Sequence, residues 1–289
     1  MNTVKRAAVL VHYDRDNIVD DYVYTYIKAL QVLTSHLVFV STAKLNSIEI
    51  KKLNLSCENV IIRDNIGYDF MSYKIGLESF DYRIYDEVLI CNDSVYGPLY
   101  PMEKLFQTMQ SQKCDFWGIT DNTDMGYHLQ SYFMLIKKPI LNSKPFHDFW
   151  DNVKILHDKE DIIKNYEVGF SQILIKAGFT PTVSTHFKAT KLQKFSIFLS
   201  KFTPSKIVKK IRSLLTGNAT ILRIGKINNA HFFWKELLLS QDVPFIKIEL
   251  LRDNPMNVNI QDFETIIHSV SNYDTNLIKN HLKRMRKEL

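Results

Sequence analysis

The stretch Val88-Leu89-Ile90-Cys91-Asn92-Asp93-Ser94-Val95-Tyr96-Gly97-Pro98-Leu99 runs from apolar residues into a polar turn. An apolar strand that delivers a carboxylate into the loop at its C-terminal end suits the ligand crevice of an open α/β sheet. There Asp93 can hold a divalent cation, Mg2+ or Mn2+, which neutralises a nucleotide diphosphate as it leaves. Asn92-Asp93-Ser94 alone is equally what a plain turn after a strand looks like. Upstream stands a second dense block, Arg63-Asp64-Asn65-Ile66-Gly67-Tyr68-Asp69-Phe70, followed by Tyr73-Lys74-Ile75-Gly76-Leu77. Far downstream, His231, Lys247 and Arg252 are cations that can balance a phosphate leaving group, although the last two fit surface charges as well.

These residues need a scaffold, and the first third of the chain supplies its pattern. Short apolar runs at Ala7 to Tyr13, Leu37 to Val40, Val60 to Ile62 and Glu87 to Cys91 read as buried strands. Between them, Val23, Ile27, Leu30 and Leu33 recur at helical spacing, and Phe70 to Leu77 reads as a helix. Strands alternating with helices predict βαβ units and a mostly parallel sheet. From Pro98 the order changes, with a helix over Leu105 to Gln112 and strands over Phe116 to Ile119 and Gln130 to Ile136. Helices over Phe146 to Leu156 and Val168 to Ala177 follow, the latter stopped by Gly178, so the second half of the sheet is expected to be mixed.

The net charge of +6 sits in one place. Residues 188–226 hold ten Lys and Arg and no Asp or Glu; removing those ten from the chain's 37 leaves 27 basic against 31 acidic residues. That distribution points to a local anionic partner and away from general nucleic-acid binding. Within the segment, Leu192, Phe195, Phe198, Leu199 and Phe202 share one helical face, and Ile207, Val208, Ile211, Leu214 and Leu215 another after Thr203-Pro204. Such basic amphipathic helices suit an anionic membrane surface, or else pack on the main domain with their lysines solvated. Cys57, Cys91 and Cys114 lack metal or redox spacing and read as small buried hydrophobes. No apolar run reaches the roughly 18 residues of a bilayer span, and no secretory signal is legible, so a cytoplasmic location is expected.

The two blocks together resemble the rhamnan synthesis protein F family of bacterial polysaccharide enzymes. In that family an R-x-N-x-G-x-D-F…Y-K-x-G-L block precedes a strand ending in N-D-S-x-x-G-P, as here. Asn229-Ala230-His231-Phe232-Phe233-Trp234-Lys235, Pro244-Phe245-Ile246-Lys247 and Arg252-Asp253-Asn254-Pro255 resemble its C-terminal signature, so the likeness runs from near the N-terminus to about Pro255. A looser resemblance is to inverting GT-A glycosyltransferases with a D-x-D motif, from which this chain departs by having Asn92 and Ser94 in the outer positions. That resemblance implies a nucleotide pocket beginning at His12, Tyr13, Asp14 and Ser41. It implies donor contacts from Arg63, Asn65, Gly67, Asp69, Lys74, Asn92, Asp93, Ser94, His231, Lys247 and Arg252. It also implies a carboxylate base at a helix start, for which Glu167 is preferred over Asp121 and Asp124. His128, Gln130 and Trp117 would line the acceptor side.

The expected fold is α/β: a GT-A-like (Rossmann-like) mixed, mostly parallel sheet flanked by helices, with a basic helical appendage. Residues 1–187 would form the catalytic domain, 188–217 the basic segment and 218–289 a segment completing the active site. The family implies hexosyl transfer, with inversion, to a surface polysaccharide such as O-antigen, capsule or rhamnan. It implies dTDP-rhamnose as donor, a polyprenyl-diphosphate-linked glycan as acceptor, and a peripheral place at the inner face of the plasma membrane. Asn92 and Ser94 keep open a different class, a non-catalytic glycan-binding component of an assembly system, which an absence of donor hydrolysis would favour.

Overall fold

The computed structural model describes residues 4–123, 125–185, 229–240 and 243–285. The basic segment at 188–217, and Asp124, lie outside the described residues.

Seven strands form the main sheet: β1 (Arg6–His12), β2 (His36–Ser41), β3 (Asn59–Ile62), β4 (Glu87–Asn92), β6 (Phe116–Gly118), β9 (Phe133–Lys137) and β10 (Pro181–Val183). Their order is β10-β6-β9-β4-β1-β2-β3. β9 runs antiparallel to both its neighbours, β4 and β6, whereas β3, β2, β1 and β4 are parallel. Two small antiparallel pairs stand beside the sheet: β5 (Val95–Tyr96) with β11 (Ile246–Lys247), and β7 (Asp121–Asn122) with β8 (His128–Leu129).

The apolar runs are continuous because both faces of the sheet are covered. Ala8, Leu10, Leu37, Phe39, Leu89 and Cys91 enter one core, and Ala7, Val9, Val38, Val40, Val88 and Ile90 the other. This is the period of two that a strand imposes on its side chains. The first core is closed by helix α1 (Asp21–Leu33) and by the C-terminal segment, including Phe245, Leu250 and Ile278. The second is closed by helix α3 (Tyr68–Glu78), which follows helix α2 (Ser47–Leu53), and by helices Lys144–Asp151 and Gly169–Lys176. Gly76 explains the glycine of the Y-K-x-G-L block: a Cβ there would lie 2.4 Å from Val9 Cγ1, so only glycine lets α3 lie this close to β1. The three cysteines are buried and unpaired.

Several boundaries differ from the sequence reading, among them the helix expected over Phe146 to Leu156, which runs over Lys144–Asp151. The strand expected over Gln130 to Ile136 pairs only from Phe133, because Gln130 to Tyr132 leave the ladder to face a cleft. The helix expected to start at Val168 continues back without a break through a π-helical turn, Ile163–Val168, to Lys159–Ile162. No helix of the described residues is long and apolar enough to cross a membrane.

Candidate functional site

The parallel register aligns the C-terminal ends of four strands, with His12 beside Ser41, Ser41 beside Ile62 and Val11 beside Asn92. The loops that follow therefore share one edge, the place where open α/β sheets bind ligands. Three cavities lie along it. The first, about 500 Å³, is lined by Tyr13, Asp14, Thr42, Lys44, Arg63 and Asn65. The second, about 380 Å³, shares Tyr13, Thr42 and Asn65 and adds Gly67, Tyr68 and Asp69. Tyr68 and Asp69 continue into the third, a cleft of about 400 Å³ that also holds Asn92, Ser94, Glu167 and Lys247.

The crevice at its Tyr13 end is built on supports. His12 is buried, its Nδ1 2.9 Å from Ser41 Oγ, which also accepts from Ala43 N–H at 3.1 Å. Burial pushes His12 down to about 4, so its ring is neutral near pH 7. Both side chains shape the strand ends and neither lines the crevice, which corrects their expected donor contacts. Tyr13 is half exposed and lines the first two cavities, as a stacking residue requires. Asp14 accepts from the amides of Asp16 and Ile18 at 2.9 and 3.1 Å and folds its own loop. Arg63 donates to Ser72 Oγ at 2.7 Å and to the Ile66 carbonyl, pinning the 63–67 turn to α3. That turn passes through Gly67 at φ +76°, a left-handed conformation in which a side chain is strained. Lys74 donates to the carbonyls of Trp150 and Asp151 at 2.7 and 3.2 Å, closing the end of helix Lys144–Asp151; it is a cap, not a donor contact.

At the end of β4, neighbouring residues face opposite ways. Asn92 donates to Asp69 Oδ2 at 2.8 Å and accepts from Ser94 N–H and Oγ–H at 3.2 and 2.6 Å; all three residues line the cleft. Asp93 turns back, accepting from Tyr13 N–H at 3.2 Å with His12 Nε2 3.8 Å away, and lines none of the three cavities. Burial, with the Asp69 carboxylate beside it, pushes the Asp93 carboxyl well above the usual carboxylate range. Asp93, the metal ligand expected from the sequence, does not line the cleft, whereas the carboxylate of Asp69 does.

Glu167 stands on the π-helical turn, not at a helix start as expected, and enters the cleft from its far side. Its Oε1 accepts from Ser131 N–H at 2.8 Å and Ser131 Oγ–H at 3.1 Å, which fixes the carboxylate. π turns of this kind recur at functional sites because the extra residue redirects a side chain. Gln130, accepting from Thr120 Oγ1 at 2.6 Å, and His128, its Nδ1 2.8 Å from the Gly126 carbonyl, line the same cleft. Trp117 does not: its ring is buried between Phe106 and Phe133 in the core. Asp121 bonds the Tyr127 phenol and stays outside the cleft lining, whereas its neighbour Asn122 enters it.

The C-terminal segment supplies the remaining wall. Pairing of β11 with β5 places Lys247 opposite Val95, beside the Asn92–Ser94 turn, and Ile248 N–H donates to the Ser94 carbonyl at 3.0 Å. The Lys247 ammonium lies 3.7 Å from the centroid of the Tyr132 ring, a cation–π contact. Burial lowers it to about 8, against the raising influence of Glu167, Glu249 and Asp69. His231 is buried beside it, Nε2 3.6 Å from Glu249 Oε2, and neither ring nitrogen has a hydrogen-bond partner. Arg252 pairs with Asp253 at 2.7 Å and does not line the cleft. Among the described lining residues, Asp69, Glu167 and Glu249 oppose a single Lys or Arg, Lys247. Sequence reasoning missed Ser131, Tyr132 and Glu249, which belong to no motif; for Glu249 only its spacing of two from Lys247 was available as a signal.

Comparison with known proteins places the chain. It is 29% identical over 211 residues to virulence protein VirA of Vibrio anguillarum (strain ATCC 68554 / 775), covering 69% of this chain and 64% of VirA, so it spans less than two thirds of that relative's length. It is 29% identical over 148 residues to the uncharacterized protein y4gN of Sinorhizobium fredii, covering 49% of this chain and 39% of that one. Among solved structures, a putative nucleotide-diphospho-sugar transferase from Desulfovibrio desulfuricans G20 superposes with a TM-score of 0.38 at 14% identity, covering 61% and 78% of the two chains. Glucosyl-3-phosphoglycerate synthase from Mycobacterium tuberculosis, in complex with Mn2+, uridine diphosphate and phosphoglyceric acid, gives 0.36 at 11% identity, covering 47% and 57%. The model of one family, rhamnan synthesis protein F, matches residues 37–221, from β2 past β10, and includes the Arg63–Leu77 and Val88–Leu99 blocks. The chain belongs to the rhamnan synthesis protein F family.

Proposed function

We propose that this chain is a glycosyltransferase that moves a hexose, with inversion, from a nucleoside diphosphate sugar to a growing cell-surface polysaccharide. One observation carries the reading: three cavities that share lining residues lead from Tyr13 past Asp69 to a carboxylate, Glu167, held by Ser131. In this reading the nucleoside sits at Tyr13, Thr42 and Asn65, and the diphosphate at the Asn92–Ser94 turn beside Lys247. The sugar then lies between that turn and Glu167. The acceptor hydroxyl oxygen attacks the anomeric carbon, the bond from that carbon to the phosphate oxygen breaks, and the hydroxyl proton passes to Glu167. The nucleoside diphosphate leaves carrying the released charge, which Lys247 meets in a partly dry site.

The cleft's three carboxylates against one lysine disfavour a free diphosphate. A divalent cation fits this charge balance: Asp69 would hold Mg2+ or Mn2+, with donor phosphate oxygens completing its shell, and the ion would neutralise the leaving group. The family's name supports rhamnose, and dTDP-rhamnose, as donor. A polyprenyl-diphosphate-linked acceptor would agree with the basic segment at 188–217 lying on the inner membrane surface.

A thermal-shift panel of nucleoside diphosphates and their sugars, with and without Mn2+, followed by transfer assays on the best donor, tests the reading. Stabilisation by a nucleoside diphosphate sugar, and transfer abolished in Glu167→Gln, are expected. Binding of glycans with no response to any nucleotide would replace the enzyme by a glycan-binding component.

A further inference from the structure

The loop that carries Tyr13 is folded from within by Asp14 and tied from outside to the C-terminal helix. Asp14, Asp16 and Asp20 place three carboxylates together, and all three pair with one guanidinium, Arg284, from the C-terminal helix Thr275–Met285. Arg284 Nη2 lies 2.5 Å from Asp14 Oδ2 and 2.5 Å from Asp20 Oδ2, while Nη1 donates to Asp16 and, at 3.3 Å, to Asp14 Oδ1. The exchange is mutual, since Arg15 Nη2 donates to the Met285 carbonyl at 3.0 Å. One turn back, His281 Nδ1 shares a 2.6 Å hydrogen bond with the Tyr96 hydroxyl, and its ring packs on Tyr22 at 4.9 Å. On its other side the loop is tied to the turn after β2 by Asn17 Oδ1, which accepts from Lys44 N–H at 2.6 Å. Asp14, Asp20 and His281 do bring ligand atoms within 4.8 Å of one another, but Arg284 already pairs with both carboxylates.

We propose that Arg284 is a positioning residue for the donor: by gathering Asp14, Asp16 and Asp20 it holds the Tyr13–Asp20 loop against the nucleotide crevice. The inference rests on the donor reading above for what the crevice binds. Asp14 is almost fully buried and Asp20 largely so. Without the guanidinium these like charges have no counter-ion, and the loop must open to hydrate them. Lysine cannot substitute fully, because a point charge cannot fork across three carboxylates.

The test combines amide hydrogen exchange of residues 14–20 with dTDP and UDP affinity and steady-state kinetics on the full chain. In Arg284→Gln, exchange of the loop should accelerate, and nucleoside diphosphate affinity should fall about tenfold, the equivalent of about 1.4 kcal/mol. The donor KM should rise in parallel with kcat at saturating donor within about twofold, and Arg284→Lys should fall between. Should Arg284→Gln fail to fold, Asp16→Asn removes the most exposed leg and should give the same pattern at about two- to threefold, scaled to one charge-assisted bond. Unchanged loop exchange in a folded variant overturns the latch. A loosened loop with wild-type nucleotide affinity, or a fall in kcat at constant KM, overturns its role toward the donor. Wild-type protein that binds neither dTDP nor UDP refutes the donor reading, while the exchange data still decide whether Arg284 holds the loop.

Discussion

Replacing Lys247 by methionine should stabilise the fold and weaken the donor complex together. Burial brings the ammonium from 10.5 down to about 8, and at 1.36 kcal/mol per pH unit the charged lysine costs the folded state about 3 kcal/mol. The unfolded chain keeps this proton up to about 10.5 and the folded chain releases it at about 8, so between those values the unfolded state binds more protons. Stability from this group therefore rises with pH across that window, and the cost is fully present below it. Methionine keeps the stem on the Tyr132 ring and removes the charge, but also forfeits a cation–π contact of about 1 kcal/mol. The expected net gain at pH 7 is about 1–2 kcal/mol, a rise of a few degrees in Tm. Nucleoside diphosphate affinity should fall tenfold or more, because the cleft then has carboxylates and no lysine to meet the phosphates. Melts at pH 7 and pH 10.5 with calorimetric titration of dTDP and UDP read both effects, and the stability gap should narrow at the higher pH. A methionine variant with lower Tm at pH 7 and unchanged affinity would refute both the burial cost and the diphosphate role.

Glu167→Gln still accepts the two Ser131 hydrogen bonds, so donor affinity should hold while kcat drops about 10²-fold or more; the same loss in Asp121→Asn instead would move the base. Asp69→Asn should abolish any stimulation by Mn2+, whereas Asp93→Asn, replacing a carboxyl that does not line the cleft, should keep transfer within a few-fold in a metal titration. Gln in place of Lys206, Lys209, Lys210 and Arg212 should release the protein from anionic vesicles in low salt while sparing transfer to a short soluble acceptor. Equal sedimentation of wild type with neutral and anionic vesicles would remove the membrane role.

The layout of the parallel strands was legible because burial on both faces turns each into an apolar run bounded by polar loops. The same pattern predicts that the loops after these strands share one edge, and the parallel register aligns their C-terminal ends. What sequence could not resolve was direction. Lys74, Trp117 and Arg252 have the right residue types for a sugar-nucleotide site, yet they cap a helix, fill the core and pair with Asp253. Asn92 and Asp93 are adjacent, and only the turn decides that the amide, not the carboxylate, faces the cleft. Ser131 was read as strand, and its part in fixing Glu167 depends on leaving the ladder before Phe133.

Both ends of the crevice depend on the last part of the chain. Lys247 reaches the Asn92–Ser94 turn through a two-residue strand pair, and Arg284 reaches Asp14 across 270 residues of sequence. Lys247 stands in a motif, Pro244-Phe245-Ile246-Lys247, but Arg284 leaves no periodic or motif-like trace, because its contact needs one side chain at one place on a helix. The family match ends at residue 221, so the matched region holds neither Lys247 of the cleft nor Arg284, which pairs with Asp14. A chain cut after β10 would lose the C-terminal part of the first core, including Phe245, Leu250 and Ile278, and leave Asp14 and Asp20 without Arg284. Glu167, held by Ser131, and Lys247, brought in by the C-terminal segment, thus meet in one cleft from parts of the chain far apart in sequence.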